Sequence, residues 1–168
     1  ARRRGAPMIR APTGWLIYGS FLLALLFEVL PLPAMLQPAR PYVLAMLVAY
    51  WVMEAPTRVG FGTAFLLGVL ADLVSASILG EQAFRLVVIA WLVQHFRTRL
   101  RFFPLWQQAA AVGLLLFNDR LISGAIHRLA GASPAAWTWW LSPVLGVLLW
   151  PWLYVLIDMA RLRARERG

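Results

Sequence analysis

Residues Gly60 to Gly80, GFGTAFLLGVLADLVSASILG, form an apolar run with one ionisable side chain, Asp72. The run matches the length of a bilayer-crossing helix, roughly 20 residues. Every fourth residue reads Gly60, Ala64, Gly68, Asp72, Ala76, Gly80. On a helix these positions wind slowly around one side, and every member of the stripe except Asp72 is small. Small residues let backbones approach closely in lipid, where van der Waals contact drives helix association. A carboxylate at mid-bilayer costs roughly 2.5–3.5 kcal/mol on insertion scales, so Asp72 is expected to turn inward. Gly60, Ala64, Gly68, Ala76 and Gly80 are the candidate packing residues.

Composition extends this reading to the whole chain. Hydrophobic residues make up 61% of 168 and charged residues 14%, and the mean hydropathy is +0.70, which places the chain in the membrane class. The net charge of +9 comes from arginine alone, since there is no lysine. The arginines lie between apolar spans and form no single basic face, which argues against nucleic-acid binding. With no cysteine, disulfides and Cys-based metal sites are excluded. The first apolar run is too long for a cleavable signal and lacks a small-residue cleavage site. Ala1, without a preceding Met, suggests numbering that starts after processing or trimming.

Six spans are expected, at about Trp15–Leu36, Tyr42–Ala55, Gly60–Leu79, Gln82–Phe96, Pro104–Ile126 and Trp137–Met159. Pro31 and Pro33 end the regular part of the first, and Pro56 ends the second. The second and fourth are short for a full crossing and are expected to extend, tilt or sit in thinned bilayer. Basic segments, 1–14 and 160–168, flank this 15–159 transmembrane domain. With the N-terminus cytoplasmic, Arg2, Arg3, Arg4, Arg10, Arg58, Arg97, Arg99, Arg101, Arg161, Arg163, Arg165 and Arg167 all fall inside. That is 12 of 16, as the positive-inside rule requires. Trp15 and Trp106 then mark inner boundaries, and Trp137, Trp139 and Trp140 an outer one. The fold class is therefore an all-α integral membrane protein, a compact six-helix bundle with both termini cytoplasmic.

Six polar residues fall inside the spans at comparable depth: Glu28, Asp72, Arg85, Asn118, Asp119 and Arg120. One reading is a polar cavity in the outer leaflet that holds a small ligand or passes a proton. The other is a set of charge pairs, Asp72 or Glu28 with Arg120 or Arg85, that fixes which helices are neighbours. Neighbouring Asp119 and Arg120 point in different directions on a helix, so they need separate partners.

Nothing points to catalysis. His95 and His127 are the only histidines and fall near opposite faces, with His95 expected at the interface. No HExxH, GxSxG or phosphate-binding glycine loop occurs, so no catalytic residue, metal ligand or cofactor is assigned. Pro151 lies inside the sixth span between Trp150 and Trp152, where it favours a kink. The two indoles either form a partner surface or fill the groove left by the kink. The arginine-rich tail is expected among anionic phospholipid headgroups.

Three segments taken in order resemble one known family. They are ARPYVLAMLVAYWVMEAPTRVGFGTAFLLGVLADLVSASILGEQAF (Ala39–Phe84), LWQQAAAV (Leu105–Val112) and LLWPWLYVLI (Leu148–Ile157). The Arg40-Pro41 pair, Tyr50-Trp51, Pro56, Arg58, Asp72-Leu73, Trp106-Gln107-Gln108 and Trp150-Pro151-Trp152 resemble the proteobacterial form of the rod shape-determining MreD family. Ala76 departs from it, since related sequences often have glycine there, as does Arg120 in the Asn118-Asp119-Arg120 run. The resemblance implies a non-enzymatic inner-membrane subunit of the cell-elongation complex. It would bind MreC, a single-span protein with a periplasmic domain, and work with MreB, RodA and a class B penicillin-binding transpeptidase to organise peptidoglycan synthesis. An alternative resemblance is to the substrate-binding components of energy-coupling-factor transporters, six-helix proteins of similar size.

Overall fold

A computed structural model describes residues 14–167. The expected basic segment 1–14, with Arg2, Arg3, Arg4 and Arg10, lies almost entirely outside the described residues. Six α-helices follow one another: α1 (Gly14–Val29), α2 (Val43–Glu54), α3 (Phe61–Ser75), α4 (Glu81–Phe102), α5 (Leu105–Leu129) and α6 (Leu141–Glu166). Short 3₁₀ turns at Gln37–Ala39 and Trp137–Trp140 precede α2 and α6. No strand occurs among the described residues.

α2 is the centre. Its sequence, VLAMLVAYWVME, has no polar face, and every residue from Leu44 to Met53 is buried. A helix apolar on all sides belongs in the interior, and α2 is surrounded by α1, α4, α5 and α6. Its 12 residues span about 18 Å at 1.5 Å per residue, well short of a hydrocarbon core of about 30 Å. Its ends are closed by other helices. The Arg97 Nε–H donates to Met53 O at 2.8 Å, and Ser142 and Arg120 donate to Arg40 O at 2.6 and 3.2 Å. These donors satisfy the backbone carbonyls flanking a helix that is otherwise buried.

The outer helices are inside-out relative to a soluble protein. Leu22, Leu23 and Leu26 on α1, Leu66, Leu70 and Leu73 on α3, and Leu148, Trp152 and Leu156 on α6 are all exposed. Apolar area on this scale calls for lipid or a partner. Leu105–Leu129 and the stretch Trp137–Glu166 are each long and apolar enough to cross a membrane. α1 and α3 are shorter, at 16 and 15 residues. Of the outcomes expected for the short fourth span, extension is the one found: α4 is a 22-residue helix that runs on through Arg97, Arg99 and Arg101. α6 likewise continues unbroken into the basic tail, to Glu166.

α3 packs most extensively on α4, and the small-residue stripe explains how. A Cβ added at Gly68 would lie inside contact distance of the Ala83 and Gln82 backbones. Ala64 and Ala71 are fully buried, so the seam is Ala64, Gly68 and Ala71. Three of the expected packing residues do not belong to it. A Cβ at Gly60 or at Gly80 would meet nothing within 4 Å, and Ala76 is exposed. Gly60 precedes α3 as its N-cap, and α3 stops at Ser75 rather than near Leu79. Ala76 takes the left-handed conformation, φ 50°, as its C-cap, and the chain turns through Gly80, φ 93°, into α4. Between α5 and α6 two glycines missed in the sequence make the contact: Gly113 receives Val147, and Gly146 receives Leu116.

Candidate functional site

The polar residues gather at one end of the bundle, where α3, α5 and the 3₁₀ turn before α2 finish and α4 and α6 begin. Among the described residues Asp72 makes no ion pair. It lies in the last turn of α3, 2% exposed, and its carboxylate accepts the Gly80 N–H at 2.8 Å, the Gln82 N–H at 3.0 Å and the Ser77 hydroxyl at 2.8 Å. Gly80 is the N-cap of α4, so Asp72 supplies from a neighbouring helix the acceptor that the orphan N–H groups there require. The network continues from Gln82 Nε2 to Ser75 Oγ at 2.8 Å and from the Tyr42 hydroxyl to Gln82 Oε1 at 3.0 Å. It thereby joins α2, α3 and α4.

The buried pair is Arg85 with Asp119. Nε and Nη2 of Arg85 grip the two carboxylate oxygens of Asp119 at 2.8 and 2.5 Å, a bidentate fork. Nη1 reaches Glu81 Oε1 at 3.2 Å, one turn earlier on α4, and the guanidinium sits 4.8 Å from the centre of the Tyr42 ring. Glu81 Oε1 also accepts the Ser123 hydroxyl at 2.8 Å and lies 3.6 Å from His127 Nδ1. Glu81, Ser123, Tyr42 and Gln82 were not singled out in the sequence. The four-residue spacing of Glu81 and Arg85 was a usable signal; nothing local announced Ser123.

Arg120 points away from Asp119, as adjacency on a helix demands. Its Nη2 donates to Arg40 O, its guanidinium lies 5.0 Å from the Trp139 ring, and it forms no salt bridge among the described residues. Arg40 donates through both terminal nitrogens to the α1 C-terminal carbonyls of Glu28 and Leu30. Glu28 lines a cavity of about 400 Å³, together with Arg40, Tyr42, Gln82, Arg85 and Arg120. Asp72 and Asn118 do not line it. Asn118 is half-buried on α5.

The opposite end is simpler. Arg161 Nη1 meets Glu54 at 2.9 Å and the Tyr50 hydroxyl at 3.1 Å. His95 stacks on Trp91 with ring centres 5.4 Å apart.

The Trp150-Pro151-Trp152 segment is not one surface. Trp150 is fully buried and Trp152 is 71% exposed, because residues two apart on a helix point about 200° apart. Trp150 fills the core beside Tyr154, leaving only Trp152 free to meet lipid or a partner.

The model of the rod shape-determining protein MreD family matches residues 10–160. The chain belongs to the MreD family. It is 30% identical over 149 residues to the rod shape-determining protein MreD of Haemophilus influenzae, covering 89% of this chain and 92% of that relative. No solved structure matches the chain. Membership carries with it a role in rod shape determination.

Proposed function

We propose that this protein is a multi-pass inner-membrane subunit of the bacterial cell-elongation complex that binds MreC and helps to organise peptidoglycan synthesis. The family assignment carries the reading. The bundle suits it, because short connections leave little but helix faces for a partner to hold, and several of those faces are apolar and exposed. All six helices cross the membrane, the short α1, α2 and α3 completing their passage through connections sheltered by the bundle. Both termini lie in the cytoplasm, following the arginine count. RodA, the transpeptidase and MreB are reached directly or through MreC. The protein acts as a scaffold, not as an enzyme.

Affinity purification from native membranes in mild detergent, with mass spectrometry of the co-purifying proteins, tests this. A near-stoichiometric single-span protein with a periplasmic domain, accompanied by elongation enzymes, is the expected result. A second reading, a transporter's substrate-binding component, draws on the 400 Å³ cavity at Glu28, which is of ligand size. An ATPase module in the purified complex in place of the single-span partner would decide for it.

A further inference from the structure

The four arginines that the charge count leaves outside the cytoplasmic set are Arg40, Arg85, Arg120 and Arg128. They do not scatter. Arg40, Arg85 and Arg120 line the cavity at Glu28, and Arg120 and Arg128 line a second cavity that adjoins it through Arg120. This second cavity has a volume of about 570 Å³, and no carboxylate lines it. Its basic side is one face of α5, since Arg120, Gly124, His127 and Arg128 are spaced i, i+4, i+7 and i+8. Its other walls include the Trp139 and Trp140 indoles, which arrive on the turn before α6. Gly124 keeps it open, because a Cβ there would already press on the Trp139 ring at 3.1 Å.

The charges are unequally satisfied. Arg85 is held by Asp119 and Glu81, and Arg40 by the end of α1. Arg120 is half-buried and spends one donor on a backbone carbonyl. Neither it nor Arg128, which is exposed at the mouth of the cavity, has an acidic partner within 4 Å among the described residues, and the burial falls on Arg120. A guanidinium presents five donors and is costly to withdraw from water without an anion. Indoles beside it are the usual mark of the headgroup level of a bilayer. We propose that this cavity binds the phosphate of an anionic lipid headgroup, with Arg120 and Arg128 as its ligands and the Trp139–Trp140 wall against the start of the acyl chains. The site is independent of which complex the protein joins.

The test uses the full chain in a non-ionic detergent, with thermal unfolding and native mass spectrometry as readouts. Phosphatidylglycerol is expected to bind at one per chain and raise Tm. Diacylglycerol, with tails but no phosphate, is expected to do neither. Arg120→Gln/Arg128→Gln should weaken phosphatidylglycerol binding at least tenfold, roughly the loss of one charge-assisted hydrogen bond. Arg99→Gln, exposed at the far end of the bundle, should leave it unchanged. Arg120→Lys/Arg128→Lys keeps the charge and should retain most binding. If the glutamine variant does not fold, raising salt on the unmodified protein takes its place, with binding falling several-fold between 0.1 and 0.5 M. Inorganic phosphate matching phosphatidylglycerol would support the phosphate site with a soluble source in place of lipid. Diacylglycerol matching phosphatidylglycerol, undiminished binding in the folded glutamine variant, or binding insensitive to salt would each overturn the proposal.

Discussion

The α3–α4 turn and the α4–α5 contact each bury an aspartate, and they satisfy it by different means. Asp72 is answered by backbone N–H groups eight and ten residues further along the chain. Asp119 is answered by a guanidinium thirty-four residues away on another helix. The first arrangement is part of how the chain turns, and forms with the hairpin. The second exists only once α4 and α5 are docked, so it ties their register together. In a low-dielectric interior either device offsets the cost of burying a carboxylate, but each fails differently when one partner is removed.

Removing Arg85 should do the most damage. Arg85→Met leaves Asp119 and Glu81 facing each other without a cation, and a loss of about 3–5 kcal/mol is expected, read as a large fall in detergent Tm. Asp119→Leu on that background should recover part of it; no recovery would mean that the pair does not couple α4 to α5. Gly68→Leu comes next, because added bulk meets Ala83 backbone rather than a movable side chain. About 1–3 kcal/mol or more is expected, against less than about 1.5 for neighbouring Val69→Leu. Equal thermal shifts for these two would remove the close-packed seam that positions the Asp72 turn.

Asp72→Leu should cost about 1–3 kcal/mol, from orphaned N–H groups at the start of α4 and not from a stranded arginine. Asp72→Asn keeps an acceptor oxygen and should cost less. If Asp72→Asn proved as harmful as Asp72→Leu, the negative charge itself would be the essential feature, and the contrast with Asp119 would narrow. The smallest effect is a gain. Ala76 holds φ 50°, which is unfavourable for any residue with a Cβ, so Ala76→Gly should stabilise by up to about 1 kcal/mol. An unchanged or lower Tm would mean that α3 does not end there.

Ala76 shows where periodicity falls short. Its four-residue spacing from Asp72 fits a helical face, but a small residue there equally fits a left-handed C-cap, which is what it forms. Spacing alone does not separate a helix that continues from one that has just ended, because Gly60, Ala76 and Gly80 are small in either case. Trp150 and Trp152 divide the two alternatives between them: helix geometry sends them to opposite sides, so Trp150 fills the interior and Trp152 faces out.

Much was nevertheless legible. The apolar runs and their prolines marked six helices, and the scarcity of charge singled out Arg85, Asp119 and Arg120 as costly residues needing an answer. Composition and periodicity carry that information because they are local. Which answer each charge receives is not local. Arg85 could choose among three carboxylates, and Asp72 among two guanidiniums or a turn. Only the docking of α4 against α3 and α5 decides, by bringing Asp119 within 2.8 Å of Arg85 and closing Asp72 over the start of α4. The chain alone determined that these charges would be buried; the tertiary structure decided their partners, because a contact across helices depends on the rotation and register of both.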